Sequence, residues 1–443
     1  MNKKISLGAT ITLMIMAAAV TFSITMIYYM DVFNGKVYNL KERETMYSKL
    51  SELDRIIRAN YINDIDEDAL NEALADGYVI GSGDKYARYF TPEEYEAYMI
   101  DLEGRVVGIG VSAEMDPSGY ILIREVYEES PAAIVGLQAG DLIIKVDELD
   151  VNTETYEQAS QAIRGEEGSK VNITYRRESE DTTIEVTRRK VDVPTVFSRM
   201  IDGNVGYVQV TEFNDSTSTQ FSNQVDALIS QGAQALIFDM RNNGGGTLTS
   251  VTKMLDKLLP EGDIVSAVYK DGTVDVLAKS DENEINLPMV VLTNNRTASA
   301  AELFTQALRD YNKAKSVGTI TYGKGTMQSV KKLNDGSAVN VTVARYLPPS
   351  GISYDGEGIK PDYEVELTAD MQANLGNLDE TTDPQLRKAL EVVTSSLRGE
   401  GVEPPSSSLP TPQESESSEA EESSEASWEN SDEEENEGED SAA

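Results

Sequence analysis

The chain has 443 residues, enough for two or three domains with a sizeable core. Its 38 basic and 77 acidic residues give a net charge of −39, a field that repels phosphate backbones and argues against nucleic-acid partners. Cysteine and histidine are both absent, which excludes disulfides, thiol catalysis, Cys- or His-ligated metals and every triad or dyad built on imidazole, so proton transfer falls to Lys, Asp, Glu or Tyr.

Lys3 and Lys4 precede an uncharged run over residues 5–30. Twenty-six residues at 1.5 Å each reach roughly 39 Å, enough for a tilted bilayer crossing. Ala17, Ala18 and Ala19 offer a signal-peptide cleavage site, but the apolar run continues well past them, which favours an uncleaved signal anchor. The two lysines put residues 1–4 in the cytoplasm and the bulk of a single-pass membrane protein outside. Residues 31–94 read as helical: Leu50, Leu53, Ile56 and Ile57 space one amphipathic helix, and Leu70, Ala73 and Leu74 a second over residues 66–78. From residue 95 to 190 the apolar period shifts to two, with strands expected at 120–126, 141–146 and 171–176. Strands alternate with helical stretches over residues 191–366 (205–210, 235–240, 289–293, 339–344), which predicts an α/β core with a partly parallel sheet. A further helix is expected within residues 367–402, capped by Asp383 with Pro384 at its first position. Residues 403–443 hold fifteen acids, eleven serines and no Lys or Arg, a composition that predicts disorder.

In the 95–190 block, Gly108-Ile109-Gly110-Val111 opens a strand with glycines that bare the backbone amides. Ser130-Pro131-Ala132-Ala133, Gly136-Leu137, Gly140-Asp141 and Ile163-Arg164-Gly165 follow in order. This set resembles a PDZ domain of the bacterial protease type. Such a domain offers amides to a terminal carboxylate and a strand edge to an extended peptide.

Three motifs stand out in the 191–366 block. Asp239-Met240-Arg241-Asn242-Asn243-Gly244-Gly245-Gly246 follows a strand, and its glycines let amides converge on an anion or simply make a tight turn. Arg296-Thr297-Ala298-Ser299-Ala300-Ala301-Glu302 joins a strand to an apolar helix. Either Ser299 is a nucleophile at a helix N-terminus or, on this motif alone more readily, Thr297 or Ser299 is merely a helix cap. Tyr322-Gly323-Lys324-Gly325-Thr326-Met327-Gln328 sets a lysine between glycines; buried, it accepts a proton near neutrality, and exposed, it marks an anion-binding or surface turn.

The ordered set, from the PDZ-like block through these three motifs, closely resembles the carboxyl-terminal processing (tail-specific) peptidases, over roughly residues 45–395. The resemblance implies a Ser–Lys serine endopeptidase. Ser299 is then the nucleophile, Lys324 the general base, Gln328 its orienting partner, and the backbone amides of Ala300 and Gly245 (Gly246 next) the oxyanion hole. Gly108, Ile109, Gly110, Val111 and Arg164 become the peptide-binding residues of the PDZ domain. Similar proteins use that domain as a lid, with an arginine lining the active site in some members. No metal or cofactor is implied. Partners are protein or peptide substrates with exposed C-termini, the membrane, and a second copy in a homodimer. The alternative is a catalytically inactive PDZ scaffold at the cell surface. Two departures stand out: Gly244 replaces the proline or serine usual in the N-N-x-G-G run, and the proline usual after Asp84 is missing.

Overall fold

The computed structural model describes residues 7–399. The expected cytoplasmic residues 1–4 and the acidic 403–443 segment lie outside them. One helix, Leu7–Asn60, runs without a break, and Glu67–Ile80 follows with Asp66 as its N-cap, accepting from Ala69 N. The turn between them is tied by Arg58, which pairs with both Asp54 and Glu67. Among the described residues no helix is long and apolar enough to cross a membrane, so the bilayer-crossing helix expected at residues 5–30 is not supported by the structure. These helices belong to a unit ending at Lys85.

The second unit, from Tyr86 onward, is built on a six-stranded sheet in the order Val196–Ile201, Val205–Val210, Ala235–Asp239, Met289–Thr293, Ala314–Gly318, Tyr363–Glu364. The first pair is antiparallel and every later pair parallel. Ala235–Asp239 and Met289–Thr293 are buried throughout, as central strands covered on both faces must be. Their side chains alternate. Leu236, Phe238 and Val291 face the helices Thr217–Ser230, Leu248–Leu258 and Ala300–Asp310. Ala235, Ile237, Val290 and Leu292 face Leu386, Ala389, Val392 and Val393 of the helix Pro384–Leu397. This is the partly parallel α/β core that strand–helix alternation predicts.

The strand expected at residues 339–344 belongs elsewhere. It forms Ala338–Leu347 of a second, antiparallel sheet, where it pairs with Arg88–Phe90, Gly262–Tyr269 and Thr326–Lys332. Val339, Val341 and Val343 alternate with Asn340 and Thr342, the pattern of an antiparallel strand, against the continuous apolar runs of the central parallel strands, and that contrast was the available signal.

The PDZ-like block has its own core around Ile123, Ile143, Val171 and Ile173. Its sheet runs Val111–Met115, Ile121–Val126, Leu142–Val146, Lys170–Arg177, Glu180–Thr187, with Val111–Met115 at an edge. Ser130 caps the short helix Pro131–Ile134, and Asp141 is buried against Arg177. The block joins the core through a two-stranded ribbon, Arg105–Gly108 against Arg189–Asp192.

Candidate active site

The three motifs meet at one edge of the parallel sheet. They are the loops that follow Ala235–Asp239, Met289–Thr293 and Ala314–Gly318, three neighbouring strands whose carboxyl ends point the same way, the usual place for a site in an α/β sheet. The loops are cross-tied. Asn242 N donates to Asn294 Oδ1 and Asn294 Nδ2 to Asn242 Oδ1, at 3.0 and 2.8 Å. Ala298 N donates to Asn243 O, and Tyr322 N to Thr297 O. The Thr297 hydroxyl donates to Met240 O at 2.8 Å and accepts from Asn294 N. Thr297 is therefore a loop tie, not the cap of the following helix.

Ser299 begins the helix Ala300–Asp310 at φ 56°, ψ −116°. An ordinary N-cap serine sits in the extended region. A non-glycine residue held at positive φ is strained, a conformation typical of a nucleophile on a sharp strand-to-helix turn. The surroundings show what holds it there. Glu302, one turn into the helix and fully buried, spends its carboxylate on four donors. Oε2 accepts from Ser299 N (2.9 Å) and Lys324 N (2.8 Å). Oε1 accepts from the Thr321 hydroxyl (2.5 Å) and Gly323 N (2.6 Å). One carboxylate oxygen thus binds the main chain of both the candidate nucleophile and the candidate base. The motif containing Glu302 was visible in the sequence, and the S-x-x-E spacing was the available signal. Nothing in the sequence reports that the same acid also reaches the lysine loop.

Lys324 is half-buried, with Nζ 4.8 Å from the centroid of the Tyr86 ring. Asp355 accepts from the next amide, Gly325 N, and fixes the far side of that loop. Gln328 lies two residues into the pairing of Thr326–Lys332 with Ala338–Leu347. Its amide group donates to the Thr326 and Thr342 hydroxyls at 2.9 and 3.2 Å. The side-chain oxygen is the atom of Gln328 suited to accept from an ammonium.

The glycine loop needs one correction. Gly245 N donates to Asn243 Oδ1 at 2.8 Å, so the amide expected in the oxyanion hole is already engaged. Gly245 contributes through its missing side chain. At φ 102°, a Cβ there would stand 2.8 Å from Ser299 Cβ and 3.0 Å from Ala300 N. Gly244 has open space around it and no positive φ, so the fold leaves room for a side chain at this position. Arg241, conspicuous in the same motif, serves the fold. It is buried, holds Asp239, and reaches Asp383 (2.7 Å) and Gln385 (3.0 Å) at the start of the last helix.

Residues 204–365 match peptidase family S41 and residues 122–177 match the PDZ domain. The chain is similar to the carboxy-terminal processing protease CtpA of Bacillus subtilis (strain 168): 32% identity over 358 residues, covering 80% of this chain and 75% of that protein. The chain belongs to peptidase family S41. It is a serine-type endopeptidase of the carboxyl-terminal processing kind. A probable CtpA-like serine protease of Staphylococcus aureus (strain N315) is 30% identical over 361 residues, 80% of this chain and 72% of that protein. A solved photosystem II D1 C-terminal processing protease is 28% identical, covering 71% of this chain and 86% of that one, at a TM-score of 0.43.

In this S41 peptidase the PDZ residues line a separate cavity of about 610 Å³ between the edge strand Val111–Met115 and the helix Tyr156–Ile163. The Gly108–Val111 loop lines this cavity. Ile109 O accepts from Ala132 N and Gly110 O from Tyr127 N, at 2.8 and 3.0 Å. Across each trans peptide the following N–H points the opposite way, so the amides of Gly110 and Val111 turn from the domain body toward the cavity they line. Arg164 is exposed on the wall of this groove. Arg188, which the sequence did not single out, is buried and donates to the carbonyls of Ala162, Ile163 and Lys170. It fixes the end of the helix that carries Arg164.

Proposed function

We propose that this chain captures an exposed protein C-terminus in its PDZ groove and cleaves the bound chain with Ser299 and Lys324. Lys324, as the free amine, takes the Ser299 hydroxyl proton while the oxygen attacks the scissile carbonyl, and then returns that proton to the leaving amine. Water repeats the cycle on the acyl-enzyme. The Ala300 N–H, in the first turn of its helix and so without an intrahelical acceptor, stabilises the oxyanion, with the Gly246 N–H as the donor from the glycine strip. Gln328 holds the lysine through its side-chain oxygen.

The observation that carries this reading is the Glu302 carboxylate, which binds Ser299 N and Lys324 N at once. A scaffold that had lost its chemistry would have no need to keep a strained serine locked to a lysine loop. Purified protein, a Ser299→Ala variant and a Lys324→Met variant should be incubated with an unfolded test protein and the cuts located by mass spectrometry. Cutting by the wild type and a loss of at least about 1,000-fold in both variants is expected. Cutting that persists in Ser299→Ala would sink the assignment, and no cutting by any of the three would favour the inactive-scaffold reading.

For location, the support is sequence alone: Lys3, Lys4 and the uncharged run at 5–30. On that basis we place the protein at a bacterial cell membrane with its peptidase outside. Release from membranes by alkaline carbonate would refute an integral anchor.

A further inference from the structure

The PDZ groove is electrically polarised along its length. Arg164 stands at one end, against the amide loop: a Cβ on Gly108 would lie 3.8 Å from Arg164 Cα and 3.9 Å from its Cγ. Glu157 lines the same groove from the other end of the helix Tyr156–Ile163. Both are exposed, and neither makes an ion pair among the described residues. Arg105, the other basic residue on the wall, is paired with Asp192 at 2.6 Å.

The spacing between the two charges defines what fits. Seven helical residues rise about 10 Å. A peptide added to the free edge of Val111–Met115 advances roughly 3.3 Å per residue. With its carboxylate at the amide loop and Arg164, Glu157 therefore sits level with the third to fourth residue from the peptide's end, and of these the third faces the groove. Alternate side chains share a face, so the last residue and the one two before it both point into the groove. The last residue meets Ile109, Ile121 and Ile163, all buried. The residue two before it meets Glu157.

We propose that the groove selects C-termini with an apolar last residue and a Lys or Arg two positions before it, read by Glu157, with Arg164 receiving the terminal carboxylate. This rests on the capture reading above. Asp101 and Glu212 also line the cavity, on the side formed by the peptidase core. A carboxylate entering there faces two acids, so Arg164 is needed to make the end of the groove receptive.

The test uses the full-length Ser299→Ala protein and fluorescent ten-residue peptides ending in valine, read by anisotropy. The residue two before the end is Lys, Gln or Glu, and the Lys peptide is made with a free and an amidated C-terminus. The Lys peptide should bind about five- to tenfold tighter than the Glu peptide, with the gap shrinking as salt rises. Glu157→Lys should reverse that order. Arg164→Gln should weaken the free acid toward the amide. If the acid binds better than the amide but Lys and Glu peptides bind alike, or Glu157→Lys leaves their order unchanged, the selectivity is refuted and capture stands. If acid and amide bind alike, or no peptide binds, capture itself fails and the selectivity with it.

Discussion

Glu302 shows how much one buried side chain does at the candidate site. A carboxylate has about four acceptor positions, and all four are filled by donors from two separate loops. Glu302→Gln turns one oxygen into an NH2 group facing two donors, at a loss of about 1.5–3 kcal/mol per charge-assisted bond. If about 3 kcal/mol of that reaches the transition state, kcat falls roughly 100-fold. KM and the circular dichroism spectrum should hold, since the residue touches three main-chain amides and the Thr321 hydroxyl and not substrate; a KM effect without a kcat effect would contradict this. Gly245 and Gly244 make a matched pair at the same scale. Gly245→Ala puts a methyl 2.8 Å from Ser299 Cβ and should abolish cleavage, while Gly244→Ala meets nothing and should keep it. Cleavage assays on both variants decide the point. Their neighbour in sequence cannot reveal such a difference, because both are glycines in one run.

Among the elements, the sequence was most legible where a pattern is local. The strands Val205–Val210 and Met289–Thr293 and the cap at Asp383 follow from short apolar runs and capping chemistry alone. What stayed hidden depends on partners far along the chain. Arg241 and Asp383 are 142 residues apart, yet their ion pair seats the helix Pro384–Leu397 under the parallel sheet. The place of Ala338–Leu347 in a second sheet is equally non-local, set by pairing with Arg88–Phe90 and Gly262–Tyr269. The Arg241–Asp383 pair also makes a prediction about stability. Asp383→Ala leaves the buried guanidinium its pair with Asp239 but removes one charge-assisted bond, at about 1.5–3 kcal/mol, and the helix cap, at about 1 kcal/mol, so it should cost about 2–4 kcal/mol. Asp383→Asn keeps a capping oxygen and should cost less. Urea midpoints for the two variants check both the size and the order.

At the scale of the whole molecule, the absence of histidine moves the pH limits of the fold to the extremes. Burial raises the Tyr346 hydroxyl to about 12 and lifts Tyr207 still further, the latter aided by the Asp239 carboxylate it donates to. A phenol that stays neutral when folded and ionises near 10 when unfolded stabilises the fold fully below pH 10. That contribution is lost as the pH climbs toward 12, on the order of 1.4 kcal/mol per unit for each group. Thermal midpoints should hold flat from neutrality to pH 10 and fall steeply above it, with tyrosinate absorbance beyond that of the exposed tyrosines rising only as the protein unfolds. Tyrosinate absorbance that exceeds what the exposed tyrosines supply while the protein stays folded would refute this.

The connection of the two folded parts carries the last prediction. The PDZ block has a core of its own, and chain enters and leaves it through one ribbon in which Gly108 pairs with Arg189. The ends are therefore already at hairpin distance when the block is removed. Replacing residues 109–188 by Asn-Gly closes that ribbon with a two-residue turn and disturbs neither the parallel sheet nor the Glu302 cluster. The excised protein should fold with the urea midpoint of its remaining core and keep the Ser299-dependent cutting of unfolded chains. It should lose any preference among their C-termini, because the groove that reads them is gone. A shortened protein that folds but no longer cuts would show instead that the PDZ block completes the active site as well as selecting for it.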